Sequence, residues 1–155
     1  MGAALKAIIT EVFEEIGNAV KNSSYFKGIN IRWTIKEISP NNIAPLTMVL
    51  QERNLKITNL SCNEAEQIID IMLLTTSPNI RDSYSKLALY REQMILLMNN
   101  ITLKNAVIEF IVASEIGLIE FPREKSQNQK NNTVLSNVVG LAYKIEYNIG
   151  DNSEL

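Results

Sequence analysis

The side chains that perform most protein chemistry are scarce in this chain. Its 155 residues include no histidine, which removes imidazole acid–base catalysis, Ser-His-Asp and Cys-His nucleophile systems, and histidine-ligated metals. The single cysteine, Cys62, follows Leu60 and Ser61 in an expected turn. Alone it makes neither an internal disulfide nor a zinc site, and no basic residue is adjacent to activate it as a nucleophile. It reads as an incidental small residue, in keeping with a reducing, intracellular place of synthesis. Glu11, Glu14 and Glu15 place carboxylates on one side of an expected helix. Carboxylate pairs serve general acid–base catalysis, but a solvated helix face accounts for these three more simply. Met94 and Met98 offer either an adaptable binding surface or ordinary core filling, and core filling is the expectation. There is no phosphate-binding glycine loop, no Gly-x-Ser-x-Gly elbow and no metal-ligand spacing. No catalytic residue, metal or cofactor is therefore expected.

The chain is long enough for one domain that buries roughly 70% of its unfolded surface. At 46% hydrophobic and 21% charged residues it falls among globular chains, neither disordered nor membrane-spanning. Its net charge of −2 provides no global attraction to nucleic acid or anionic lipid. The start, MGAALKAIITEVFEEIG, lacks the basic region and unbroken apolar segment of a signal peptide. No apolar run approaches the ~20 residues that cross a bilayer. A cytosolic protein with one domain over residues 1–150 and a frayed tail over residues 151–155 is expected.

The elements follow from hydrophobic period. Leu5, Ile8, Ile9, Val12, Phe13, Ile16, Ala19 and Val20 recur at helical spacing and predict a helix from about Ala3 to Lys21. Tyr25 and Phe26 are expected to cap the core. Ile29, Ile31, Trp33 and Ile35 alternate with polar residues and predict a half-exposed strand with Trp33 packed inward. Ser39-Pro40-Asn41-Asn42 signals a turn, and Pro45 opens or edges a strand over Leu46–Glu52. Asn54–Asn63 alternates weakly and is expected to be irregular, with at most a short strand. Glu64–Thr76 fits either period; its β-branched residues favour a strand. Ser77-Pro78-Asn79 breaks it, and Ile80–Asn99 predicts a second helix burying Tyr84, Leu87, Tyr90 or Arg91, Met94, Leu97 and Met98. Ala106–Ala113 and Ile116–Phe121 read as one long strand. Ser126–Thr133 reads as a polar loop, and Asn137–Ile149 as the return strand with Val139, Leu141, Tyr143, Ile145 and Tyr147 on one face. The expected fold is α+β: a mixed or antiparallel sheet of about four to five strands with two main helices on one face.

That element order, the length, and the closing Leu141-Ala142-Tyr143-Lys144-Ile145-Glu146-Tyr147 segment resemble the tail-terminator proteins of tailed phages. This family is also called tail-completion or minor tail U-type, and includes the collar or cap of phage-tail-like bacteriocins. The resemblance spans nearly the whole chain and is one of architecture, without a sharp motif. It implies a non-enzymatic structural protein that forms a hexameric ring on the last ring of the tail tube. Such a ring stops tube growth, offers a surface to the head connector and, in contractile tails, meets the end of the sheath. It implies assembly in the cytoplasm and a final place at the head-proximal end of the tail, with DNA passing through the ring in phages.

One physical argument for self-association is independent of the resemblance. Ile68–Leu74 and Ala106–Ala113 are apolar on both parities, interrupted mainly by Asp70 and Glu109, and such strands need both faces covered. Two helices cover one face; the other calls for a loop or a neighbouring subunit. Ile68, Asp70, Met72 and Glu109 are the candidate interface positions on strands. Ser126, Gln127, Asn128, Gln129, Lys130, Asn131 and Asn132 are the candidates in the loop, where a flexible tip and a segment that orders against a partner are both open readings. Two further classes stand beside the ring. A head–tail connector or tail-assembly chaperone differs in stoichiometry, and a small enzyme using carboxylates or lysines needs a cleft with converging charges. Specific nucleic-acid binding is not expected, because no basic run interleaves with aromatics.

Overall fold

The computed structural model describes residues 6–34, 36, 46–75, 80–122 and 133–150. The expected turn at Ser39–Asn42, Pro45, the break at Ser77–Asn79, the loop candidates Ser126–Asn132 and the tail over residues 151–155 lie outside the described residues. The fold is α+β. Helix α1 (Ile8–Lys21) precedes the short strand β1 (Asn30–Arg32) and the long hairpin of β2 (Thr47–Asn59) and β3 (Glu64–Thr75). Helix α2 (Ile80–Asn99) follows, then β4 (Val107–Ala113), β5 (Gly117–Pro122) and β6 (Thr133–Asn148). Among the described residues the sheet has six strands in the order β1-β2-β3-β6-β4, with β5 also paired to β6. Among the described strands only β1–β2 is parallel, so the sheet is mixed.

Both helices pack on the same face. Ile8, Val12, Phe13, Ile16 and Val20 of α1 and Leu87, Met94 and Met98 of α2 join one core. They meet Met48, Leu50, Ile69, Ile71, Leu73, Val139, Leu141, Tyr143 and Ile145 from the sheet. In register, Leu50, Ile71 and Leu141 stand side by side on β2, β3 and β6, as do Met48, Leu73 and Val139. The alternation along β3 and β6 thus selects one continuous apolar face, and a slip of one residue would turn it to the other side. Among the described residues no helix is long and apolar enough to cross a membrane.

Several local expectations are corrected. Helix α1 starts at Ile8; Lys6 and Ala7 are not helical, and Ala7 caps it in an extended conformation (φ −61°, ψ 145°). The strand expected over Ile29–Lys36 shortens to Asn30–Arg32. Trp33 falls beyond it, 42% exposed, with its ring set edge-on to Phe13 at 5.8 Å. Phe26 is buried as expected, whereas Tyr25 is exposed. On α2 the buried line runs Ser83, Leu87, Met94 and Met98, and Tyr84 faces out. The irregular Asn54–Asn63 is mostly strand: β2 continues to Asn59, and a short 3-10 turn over Leu60–Cys62 closes the hairpin. Asn54 (φ 43°) lies where the β2–β3 register shifts, and Asn63 (φ 54°) follows the turn. Asparagine tolerates this left-handed backbone better than most residues.

The long strand expected before the polar loop is two strands, which is why the sheet has six. Ala113 pairs with Leu141 and Gly117 with Val138, so the stretch between them holds one residue more than its partner on β6. Ser114 stabilises the irregularity. Its N–H donates to the Gly140 carbonyl at 2.7 Å, and its Oγ accepts from the Gly140 N–H at 2.8 Å.

Candidate interface

Among the described residues no helix packs on the second face of the sheet, where Val49, Leu74 and Ala142 are nonetheless buried. On this face Ile68, Asp70 and Met72 project from β3, each half-buried. Their register partners on β2 are Arg53, Gln51 and Val49; those on β6 are Lys144, Ala142 and Gly140. Glu109 on β4 pairs with Lys144, so the row containing Ile68 ends on Glu109. The structure therefore brings together all four strand candidates, Ile68, Asp70, Met72 and Glu109. It joins them to two residues the sequence reading did not single out, Arg53 and Lys144.

The charges on this face are organised as ion pairs. Arg53 holds Asp70 in a two-pronged contact, Nε to Oδ2 at 2.6 Å and Nη2 to Oδ1 at 3.1 Å. Lys144 Nζ lies 3.2 Å from both Glu109 Oε2 and Glu146 Oε1. Hydrogen bonds donated to Glu146 and then to Glu109 hold the Lys144 ammonium above the ordinary lysine pKa. These pairs are surface contacts of small net worth, but they fix the polarity of the face. Cation, apolar residue, cation and anion follow one another across it as Arg53, Ile68, Lys144 and Glu109.

The rim is apolar at the β4 edge. Val107 is 69% and Val112 55% exposed, and Phe110 and Ile111 are exposed too. Among the described residues no strand pairs with the outer side of β4. At the opposite edge, among the described residues, the outer side of β2 is paired only along Thr47–Val49, by β1. Farther on, β2 is exposed from Glu52 to Asn59, with Leu55 and Ile57 open to solvent, and Leu60 at the tip is 82% exposed. The weak alternation of Leu55 and Ile57 was the only sequence signal for this arm.

Two clefts flank the sheet end near the hairpin. One, about 670 Å³, is lined among others by Glu64, Glu66, Lys104, Glu146 and Tyr147. The other, about 420 Å³, lies between the start of α1, Leu55, Gln67, Tyr147 and Ile149. In it the Tyr147 hydroxyl donates to Gln67 Oε1 at 2.9 Å, and Gln67 Nε2 donates to Glu52 Oε2 at 2.8 Å. Burial, and then the nearby Glu52 charge, push the Tyr147 hydroxyl above its usual pKa. That direction opposes use of the phenol as a base near neutrality. Among the described residues no three Cys, Asp or Glu side chains gather as a metal site, and Cys62 is exposed and free. Compared with protein-family models and with curated protein sequences, the chain matches none.

Proposed function

We propose that this chain is a structural subunit that closes into a ring and caps the head-proximal end of a phage tail or phage-tail-like particle. The cap ends polymerisation of the tail tube, and of the sheath where one exists, and presents a docking surface to a head connector. The observation behind the reading is the β4 edge. A strand of seven residues with Val107, Phe110, Ile111 and Val112 exposed is a liability in an isolated protein, and natural proteins cover or charge such edges. Among the described residues no strand pairs with this edge, and a neighbouring subunit would supply the cover. The element order and the closing β6 segment supply the family resemblance that turns self-association into tail capping.

Light scattering after size exclusion across a concentration series, with negative-stain imaging of the heaviest species, tests the reading. A ring of six is expected. A strict monomer at high concentration, with no ring formed on addition of tail tubes, rejects it. A twelve-fold ring redirects it to a connector. The proposal also expects no turnover in a broad hydrolase and transferase screen. A reproducible activity lost on substitution of one Asp, Glu or Lys overturns the non-enzymatic reading.

A further inference from the structure

We infer that one copy of this chain joins the next edge to edge, with β4 of one subunit adding to the exposed outer half of β2, Arg53–Asn59, of its neighbour. The inference rests on the ring reading and names the contact that builds it. Three observations converge on that occupant.

The two edges match in form. Arg53–Asn59 is as long as β4 itself and exposed throughout. An edge strand offers a row of backbone donors and acceptors that an added strand satisfies. Direction agrees as well. From β2 through β3 and β6 to β4 every step is antiparallel, so β4 runs opposite to β2. A copy generated by rotation about an axis along the strands sets β4 against β2 antiparallel, the more stable pairing. The contact is heterologous, which is what a ring requires.

Charge selects the same partner. The row Arg53, Ile68, Lys144, Glu109 has a cation at one edge and an anion at the other, on the same face. Rotation carries Glu109 of one copy to Arg53 of the next. A stagger of one pleat repeat toward the hairpin replaces Arg53 with Lys56, which shares that face through its partner Glu66. Glu109 is 68% exposed despite its contact with Lys144, leaving oxygen lone pairs for a second cation. Pairing of β4 with β4 of a second copy lacks this match, because Glu109 is the only charge on the strand. Register shifts at Arg53/Lys56 and Phe110/Val112 limit the registers in which the two edges fit.

The test uses the full chain with the photo-cross-linker p-benzoylphenylalanine at Val107, in a mixture of light and nitrogen-15 copies. Illumination and peptide mass spectrometry then identify the partner segment. The two edges of one sheet are about 14 Å apart, three strand spacings, and mixed-isotope peptides identify links between copies. Links to Arg53–Asn59 of another copy are expected. Glu109→Lys is expected to leave the melting temperature in place at concentrations where the chain is monomeric, and to raise the dissociation constant about tenfold or more. Links to Val107–Ala113 of another copy instead establish a two-fold β4 dimer and overturn the inference. If scattering shows a ring but links fall elsewhere or are absent, or Glu109→Lys leaves assembly unchanged, the edge pairing fails while the ring reading survives. A monomer at every concentration removes both.

Discussion

Tyr143 packs its ring on Phe110 at 5.5 Å and is 2% exposed, yet its hydroxyl has no hydrogen-bond partner among the described residues. Burial pushes its pKa up to about 12, against roughly 10 in an unfolded chain. The folded state therefore keeps a proton that the unfolded state has begun to lose. The resulting stability is fully present below pH 10 and is lost as the pH rises toward 12, up to roughly 2–3 kcal/mol at about 1.4 kcal/mol per unit. Tyr143→Phe keeps the shape and removes a buried polar atom without a partner. We expect unfolding free energy at pH 7 to stay level or rise by about 1 kcal/mol, and to fall less steeply between pH 10 and 12 than in the parent. Urea titrations across that range provide the check; a loss above about 1 kcal/mol at neutrality means the hydroxyl is satisfied after all. The position of Tyr143 inside the sheet was legible from parity alone, whereas the fate of its oxygen was not. Trp33 shows the reverse. Its parity pointed inward, but the strand that would have held it there stops at Arg32, and an alternation of single residues does not reveal where pairing ends.

Among the elements, the ones read correctly are those whose period is long or whose breakers are strong. Helix α2 occupies Ile80–Asn99 as expected, and the ambiguous Glu64–Thr76 is strand over Glu64–Thr75, flanked by β2 and β6. What the sequence hid depends on partners far along the chain. The acidic side of α1, expected to be plain solvated surface, partly anchors the connection between α2 and β4. Asn105 Nδ2 donates to Glu11 Oε1 at 2.6 Å, and the Lys104 N–H donates to Glu15 Oε2 at 3.1 Å. Burial raises the Glu15 carboxyl above its usual pKa, and the Lys104 N–H opposes that rise. Likewise no composition signal marks Ser114 as the break between β4 and β5. Its bonds to Gly140 are visible only once β6 lies alongside. Ser114→Ala removes the acceptor of the Gly140 N–H and is expected to cost about 1 kcal/mol, with faster amide exchange at Gly140. Unchanged exchange there indicates that the junction holds through its backbone contact alone.

At the scale of the whole molecule, the sheet's second face and the edges that no described strand pairs are where the proposed assembly would form, and the polar run near residue 130 belongs to the same question. Strand β5 ends on Pro122, which pairs with Thr133 at the start of β6. The ends of the connection are thus fixed side by side, as the hairpin expectation required. Within it, Ser126–Asn132 contains no apolar side chain, so it has almost nothing to contribute to a core. Changing the length of such a connection alters closure entropy by only about 0.6 kcal/mol per doubling. Ordering it costs roughly 1–2 kcal/mol per residue in backbone entropy, which contacts outside the subunit must offset. Replacing Ser126–Asn132 with a short Gly-Ser turn is therefore expected to leave the melting temperature within a degree or two, on the order of the 0.6 kcal/mol closure change. The same replacement is expected to reduce incorporation into tail particles. Calorimetry of the isolated protein and quantitative blotting of purified particles separate the possibilities. If the isolated protein unfolds, the run is part of the core and the closure argument fails. If folding and incorporation both survive, the run is only a linker, and the proposed docking surface reduces to the sheet face and the β2 and β4 edges.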